Sequence, residues 1–267
     1  LMKKIIKKLL HKAGYSISKI KMNSYPIDYN KDFIDEYKSI EPYTMTSIDR
    51  VYALKTAIEY TINNNIEGSY VECGVWKGGS CMLIAKTLVD NKKMDKEIWL
   101  YDTFEGMTNP TDEDAEVETN LKGMELLKNI DRTTDKLNMW AYAPKDLVIQ
   151  NMDSTGFPAR NIKYIEGKVE DTLSQSKPKS IALLRLDTDW YESTKIELEK
   201  LYPLLVDGGI LIIDDQFAPL AEKIAAAIGD IAQTPMKYVV NTHYHGDHTG
   251  SNAYFTEIKG STIFAHD

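Results

Sequence analysis

Acidic side chains recur in this sequence at the ends of short apolar runs that have the pattern of β-strands. They are Glu72, Asp102, Asp187, Asp189, Asp214 and Asp215. The carboxyl ends of parallel strands meet at one edge of an open sheet, and ligands bind there. Acidic groups gathered at one edge cost electrostatic free energy unless a cation or hydroxyl groups interact with them. The simplest arrangement is a nucleoside-type cofactor over the first strands and a metal over the last two.

The first of these strand ends leads into a glycine-bearing turn, Gly74 to Ser80, which precedes a predicted helix. Glycine lets a ligand approach the backbone closely, and a helix N-terminus favours a carboxylate. The spacing matches neither a Walker phosphate loop nor the dinucleotide pattern, which disfavours a nicotinamide dehydrogenase. Asp102, at the next strand end, is suited to hydrogen-bond ribose hydroxyls. Alone it could equally cap a helix, but the glycine turn before it favours the functional role.

The aspartates at the last two strand ends offer hard oxygen ligands. Carboxylates without cysteine or histidine favour Mg²⁺ or Ca²⁺ over softer metals. A metal held by Asp187, Asp189, Asp214 and Asp215 could bind two neighbouring substrate hydroxyls and lower the pKa of the one that reacts. The alternative is that one or two of these aspartates only cap helices or form turns, although that role does not suit all of them.

Strands and helices alternate through the centre of the chain. The predicted strands are 69–73, 98–101, 162–166, 181–186 and 210–213, and the predicted helices between them include 47–63, 81–90 and 193–205. This alternation predicts an α/β fold with a doubly wound, mostly parallel sheet. Residues 1–45 are predicted to form an N-terminal helical cover. The polar, acidic stretch at about 105–160 is predicted to be a lid over the ligand.

Composition narrows the functional classes. The chain has 267 residues, a formal net charge of −8 and only two cysteines, Cys73 and Cys81. An acidic protein is a poor general nucleic-acid binder, and two cysteines imply no disulfide framework, so the cytoplasm is the expected location. No apolar run is long enough to span a membrane. The N-terminus has an amphipathic, lysine-rich pattern that predicts a helix packed on its own domain or on the partner in a homodimer, with a membrane surface as the weaker alternative.

Several segments in a fixed order resemble the macrocin O-methyltransferase family. They are YVECGVWKGGSCMLIAKTL, IWLYDTFEGM, IKYIEGKVEDTL, IALLRLDTDWYESTKIELEKLYPLL and DGGILIIDD. The resemblance runs from about Thr44 to Asp215 and implies a methyltransferase core at residues 46–215 with a class I, Rossmann-like fold. It also implies an enzyme that uses S-adenosylmethionine and Mg²⁺ to methylate a hydroxyl of a small molecule, a sugar of a glycosylated natural product.

The resemblance also implies roles for individual residues. The implied cofactor-binding residues are Thr46, Arg50, Glu72, Gly74, Ser80, Asp102, Gly167, Val169 and Glu170. Among them, Glu72 and Gly74 would line the methionine end of the cofactor, and the turn at 167–170 would lie beside the adenine. The implied metal ligands are Asp187, Asp214 and Asp215, with Asp187 or Asp189 as the general base.

The C-terminal segment, residues 216–267, resembles a different family, the metallo-β-lactamase fold hydrolases. The segments KYVVNTHYHGDHTGSNAYF and TIFAHD carry this resemblance. In those enzymes an HxHxDH motif supplies zinc ligands, and here its members are His243, His245, Asp247 and His248. A catalytic zinc ion needs three protein ligands in a fixed geometry, which disfavours zinc hydrolysis and leaves adventitious binding of Zn²⁺ or Ni²⁺ as an open alternative for this fragment.

Three functions follow from these two resemblances. The first is a metal-dependent O-methyltransferase, which the ordered motifs over most of the chain favour. The second is a zinc-dependent hydrolase, favoured only by the C-terminal segment. The third is a chimeric methyltransferase that binds its cofactor without turnover, because residues 216–219 replace the aromatic, histidine-containing segment found at this point in the family.

Overall fold

A computed structural model describes residues 25, 29–111, 122–128, 131, 139–213, 226, 229, 238–240 and 262–264, the last two segments as backbone only. The chain divides into two compact units, Leu1–Glu36 and Tyr37–Asp267. Within the described ranges, no helix is long and apolar enough to cross a membrane.

The second unit is built on a parallel sheet of five strands. In chain order they are β1 (Ser69–Cys73), β2 (Ile98–Asp102), β3 (Ile162–Glu166), β4 (Ile181–Leu186) and β5 (Leu205–Ile213). Their order across the sheet is β3-β2-β1-β4-β5, and every neighbouring pair is parallel. The chain therefore winds outward from β1 to β3 and then returns to the other side of β1. That reversal creates a crevice between β1 and β4, where open α/β sheets bind ligands. The predicted fold class is confirmed.

Helices of the described segments connect and cover these strands. They are α1 (Lys31–Ile40), α2 (Ile48–Asn63), α3 (Gly79–Asp90), α4 (Gly123–Leu127), α5 (Lys145–Asp153), α6 (Val169–Thr172) and α7 (Tyr191–Leu201). Short 3₁₀ turns lie at Glu41–Tyr43, Ala159–Asn161 and Tyr202–Leu204. A second pair of parallel strands, β6 (Tyr238–Val240) and β7 (Thr262–Phe264), forms a separate two-stranded sheet.

Local sequence explains why the central elements form where they do. Ser47 caps α2, its side-chain oxygen accepting a hydrogen bond from the Arg50 backbone N–H, as predicted for this helix start. Strand β4 is buried along its whole length, because helices cover both faces of a central parallel strand. The side chains of β1 are likewise buried throughout. These two strands form the floor of the crevice.

The boundary between α7 and β5 differs from the prediction. Helix α7 was expected to run to Leu205, but it ends at Leu201 and a 3₁₀ turn containing Pro203 follows it, since proline lacks the N–H that would continue the helix. Strand β5 was expected to begin at Ile210, but Leu205 already pairs with Ile181. Gly208 has φ +81° and lies in the irregular stretch between Leu205 and Ile210, inside β5 rather than in a turn before the strand.

Helix α5 lies within the stretch predicted to be a lid, yet it packs on the glycine turn (residues 74–80). Val148 and Met152 are buried, and the Val148 side chain lies against Gly78. The Asn151 side-chain amide donates a hydrogen bond to the Lys77 carbonyl at 2.8 Å. This part of residues 105–160 therefore supports the glycine turn. The lid role of residues 105–160 stays a prediction, and much of that stretch lies outside the described residues.

Candidate active site

A cavity of about 250 Å³ opens at the carboxyl edge of the sheet, in the crevice between β1 and β4. It brings together every residue that the family resemblance assigned to the cofactor, and both aspartates that follow β4. These are Thr46, Arg50, Glu72, Gly74, Ser80, Asp102, Gly167, Val169, Glu170, Asp187 and Asp189. Residues more than a hundred positions apart in the chain thus meet in one place. Their individual roles stay predictions.

Asp102, at the end of β2, organises the glycine turn. Its Oδ2 atom accepts hydrogen bonds from the backbone N–H groups of Val75 at 2.7 Å and Trp76 at 3.0 Å, and its Oδ1 atom accepts one from Phe104 N–H at 2.7 Å. Burial raises the pKa of Asp102, while these backbone donors oppose the rise. The Thr103 hydroxyl also lies 3.5 Å from Oδ1, so three backbone donors and one side-chain hydroxyl surround this carboxylate. Asp102 therefore supports the turn while it lines the cavity.

Gly74 brings the end of β1 close to the start of the loop after β4. Its φ is +81°, and a Cβ atom placed there would lie 2.2 Å from the Asp187 carbonyl oxygen. The Asp187 N–H donates a hydrogen bond to the Cys73 carbonyl at 2.8 Å, which holds the two strand ends together. Only glycine fits this backbone conformation and this space. The position that sequence analysis assigned to close ligand approach is thus also a close approach between two backbones.

Glu72 lies at the floor of the cavity and is almost completely buried, with 2% of its surface exposed. It forms a short ion pair with Arg185 of β4, and its Oε2 atom accepts a hydrogen bond from Cys81 Sγ at 2.7 Å. Arg185 also pairs with Asp187 Oδ2 at 2.9 Å. Burial raises the pKa of Glu72, and the positive charge of Arg185 opposes that rise. One guanidinium thus joins the predicted methionine end of the cofactor site to the aspartates after β4.

Two of the four predicted metal-binding aspartates are described. Asp187 lines the cavity with 37% of its side chain exposed, and Asp189 lines it as an exposed residue. Asp214 and Asp215 lie outside the described residues. Among the residues that are described, no group of three or more histidine, cysteine or acidic residues could hold a metal. The two aspartates present offer the hard oxygen donors that Mg²⁺ prefers, and so fit part of a magnesium site.

The predicted zinc motif of the C-terminal segment lies outside the described residues. This holds for His243, His245, Asp247 and His248. In the sequence, the described strands β6 and β7 lie on either side of this motif.

Several residues that shape the site were not among the predicted site residues. Arg185 interrupts the apolar run of β4, and a charged residue in a fully buried strand signals a buried ion pair. Trp190 follows the aspartates and donates a hydrogen bond from Nε1 to the Thr108 carbonyl at 2.8 Å, joining this loop to the start of the predicted lid. The Tyr43 backbone and the Thr44 side chain approach Gly79, and all three residues line the cavity. No local sequence pattern predicts the contacts of Tyr43 and Thr44 with Gly79.

The sheet order, the glycine turn after β1 and the acidic residue at the end of β2 define a class I, Rossmann-like methyltransferase fold. The chain belongs to the macrocin-O-methyltransferase (TylF) family, whose model matches residues 3–234. A second model, that of the metallo-beta-lactamase superfamily, matches residues 202–267. Both predicted resemblances are confirmed. The two matches overlap at residues 202–234, so β5 falls within both.

Named relatives methylate hydroxyl groups of natural products. The chain is 28% identical over 173 residues to demethyldecarbamoylnovobiocin O-methyltransferase of Streptomyces niveus, covering 65% of this chain and 62% of that protein. It is 23% identical over 219 residues to mycinamicin III 3''-O-methyltransferase of Micromonospora griseorubida, with 82% of each chain covered. The matched region thus spans less than two thirds of the Streptomyces niveus relative.

One solved structure gives a similar result. The O-methyltransferase NovP superposes with a TM-score of 0.58 and 29% sequence identity, covering 71% of this chain and 76% of that one. The shared fold is therefore that of an O-methyltransferase.

Proposed function

We propose that this protein transfers a methyl group from S-adenosylmethionine to a hydroxyl of a small molecule, with Mg²⁺ as the metal. The acceptor is a sugar of a glycosylated natural product. The observation that carries the proposal is that one cavity, at the β1–β4 crevice, is lined by all the described residues predicted for cofactor, metal and base.

The chemistry of the cavity suits this cofactor. Its lining includes acidic side chains from four strand ends but few basic ones, Arg50 and Lys168, so it favours a cationic ligand with ammonium and sulfonium groups. The indole Nε1 of Trp76 is buried without a hydrogen-bond partner among the described residues, which leaves a donor at the glycine turn. Asp102 lines the cavity at the end of β2, where it would meet a ribose hydroxyl. Glu72 would face the ammonium group.

When bound, the sulfonium cofactor supplies an activated methyl group, so the protein has to supply alignment and a deprotonated nucleophile. Asp187 and Asp189 stand at the carboxyl end of β4, beside the predicted methionine end of the cofactor site. One of them would take the proton from the acceptor hydroxyl. Asp187, Asp214 and Asp215 would hold Mg²⁺, which would lower the pKa of that hydroxyl.

Calorimetric titration of S-adenosylhomocysteine into chelator-treated protein, with and without added Mg²⁺, tests the proposal first. We expect micromolar, one-to-one binding, followed by Mg²⁺-dependent methylation in a screen of glycosides. Absence of binding in both conditions would refute the assignment of the cavity to this cofactor. Binding without any methylation would favour the chimeric, inactive protein instead.

The match of residues 202–267 to the metallo-beta-lactamase superfamily favours a second candidate, a zinc-dependent hydrolase. The HxHxDH motif is the feature that would bind zinc. A colorimetric β-lactam and thioester assay with added Zn²⁺ tests this function, and His245→Ala is the matched variant. Hydrolysis by the unmodified protein, lost in the variant, would establish it.

A further inference from the structure

A buried carboxyl group lies outside the cavity, against the loop that carries Asp187 and Asp189. Glu197 of α7 has 0% of its surface exposed and does not line the cavity. The hydroxyl of Thr188 donates to both of its carboxyl oxygens, at 3.0 Å each. Among the described residues, no arginine, lysine or histidine pairs with Glu197. Thr188 is therefore the residue through which this carboxyl group acts.

Burial of this group is unfavourable, so packing alone does not account for it. The other large side chains on the buried face of α7, Leu198 and Leu201, are apolar. Burial raises the pKa of Glu197 well above its ordinary value, and the negative charges of Glu170 and Asp187 raise it further. A leucine or methionine would bury the same position without an unpaired carboxyl group. A role other than packing is therefore needed to account for the carboxyl group of Glu197.

Thr188 is the middle residue of the loop between the two aspartates, the aspartate turn (residues 187–189). Its hydroxyl is held by Glu197, and its carbonyl accepts a hydrogen bond from Thr194 Oγ1 at 3.2 Å. The start of the turn is held to β1 by the bond from Asp187 N–H to the Cys73 carbonyl at 2.8 Å. The turn is thus attached to α7 at its centre and to the sheet at its beginning.

We propose that Glu197 is a positioning residue that acts through the Thr188 hydroxyl to hold the aspartate turn in the shape in which Asp187 and Asp189 both face the cavity. The inference deepens the proposed function and rests on it, because the turn matters for turnover only if these aspartates bind metal or act as base. Glu197 touches neither cofactor nor acceptor in this scheme.

Four variants of the full-length protein test the proposal. Thr188→Val removes the hydroxyl at constant shape, and Glu197→Met removes the carboxyl group. Glu197→Gln keeps a carbonyl oxygen that can accept the Thr188 hydrogen bond. Thr61→Val is the matched control, because the Thr61 hydroxyl also takes part in a side-chain hydrogen bond, 2.7 Å from Tyr70 Oη, but Thr61 is fully buried and does not line the cavity.

The readouts separate positioning from folding. Electron paramagnetic resonance of added Mn²⁺ measures metal affinity, calorimetry measures S-adenosylhomocysteine affinity without metal, and steady-state kinetics measure kcat and KM. We expect Thr188→Val and Glu197→Met to weaken Mn²⁺ binding and lower kcat by up to about 10²-fold, the effect of a small misplacement of reacting groups. Metal-free S-adenosylhomocysteine affinity should not change. Glu197→Gln should behave as the unmodified protein, and the two losses should not add in Thr188→Val/Glu197→Met.

The opposite results would overturn the inference. Mn²⁺ affinity and kcat in Thr188→Val equal to those of Thr61→Val would show that the hydroxyl does not position the turn. Additive losses in the double variant would show that the two residues act separately. Failure of the unmodified protein to bind Mn²⁺ would instead refute the metal in the proposed function, and this inference with it. If Glu197→Met does not fold, the Mn²⁺ affinity and kcat of Thr188→Val, compared with those of Glu197→Gln, test the inference.

Discussion

The two sides of the cavity meet a ligand differently. On the side of β1 and β2, Asp102 and Glu72 already have internal partners, three backbone N–H groups for the first and Arg185 with Cys81 for the second. On the side of β4, Asp187 also has an internal partner, Arg185, but 37% of its side chain is exposed, and Asp189 is exposed as well. The acids of the first side shape the backbone around a ligand, whereas those of the second face the cavity itself.

This difference separates binding from chemistry. Internal partners make the β1–β2 side a preformed surface, so changes there should alter stability and cofactor affinity together. On the β4 side, the shape of the cavity depends on the aspartate turn and on the attachment of that turn to α7. Changes there should alter turnover while cofactor affinity is kept. Arg185 is the described residue that pairs with acids of both sides.

The largest effect is expected on the β4 side. Asp187→Asn and Asp189→Asn keep side-chain volume but remove the carboxylate, and the one that acts as general base should lower kcat by about 10²–10⁴-fold. S-adenosylhomocysteine affinity, measured by calorimetry, should be retained in that variant. If neither substitution changes kcat, the β4 side has no catalytic role and the contrast between the two sides is wrong.

The next effect concerns the ion pair that joins the two sides. Glu72→Gln leaves Arg185 without its most buried partner, and removal of one member of a buried pair costs about 3–5 kcal/mol. Urea unfolding measures this loss, and Glu72→Gln/Arg185→Met should recover part of it. The matched control is Glu67, which pairs with Lys96 but has 84% of its side chain exposed, so Glu67→Gln should barely change the unfolding midpoint. Equal effects at the two pairs would contradict the special role of Arg185.

Substitution of Gly74 tests the close approach of the two strand ends. Gly74→Ala and Gly156→Ala both place a side chain at positive φ, +81° and +75°, but only Gly74 lacks room for it. The backbone strain common to both should cost about 1–2 kcal/mol. Gly74→Ala should lose more stability and also weaken S-adenosylhomocysteine binding, whereas Gly156→Ala should bind normally. Urea unfolding and calorimetry measure the two properties.

The smallest effect is a pH dependence of stability. The pKa of Glu197 is raised in the folded protein, so folding takes up a proton at this group once the pH exceeds its ordinary pKa. Its contribution to stability is thus complete at low pH and is lost as the pH rises toward the folded pKa. Glu197→Gln lacks this loss and should become progressively more stable than the unmodified protein from pH 5 to pH 8, as urea unfolding at both values measures. A pH-independent difference would show that Glu197 titrates normally.

Much of the fold could be predicted because its signals are local. Strands β1, β3 and β4 have the predicted bounds, since short apolar runs between turn residues suffice to identify buried parallel strands. The start of β5 was missed, because pairing across the irregular stretch between Leu205 and Ile210 depends on the neighbouring strand. The gathering of the acidic residues in one cavity was also predictable, since parallel strands place all their carboxyl ends at one edge.

The sequence by itself determined the alternation of strands and helices, the family, and which carboxylates stand at the strand ends. Only the tertiary structure decided what each carboxylate contacts: Asp102 the glycine turn, Glu72 the guanidinium of Arg185, and Glu197 the hydroxyl of Thr188. The physical reason is distance along the chain. Periodicity and turn chemistry act over a few residues, whereas Glu72 and Arg185 are separated by 113 positions and meet only because β1 and β4 pair in this register.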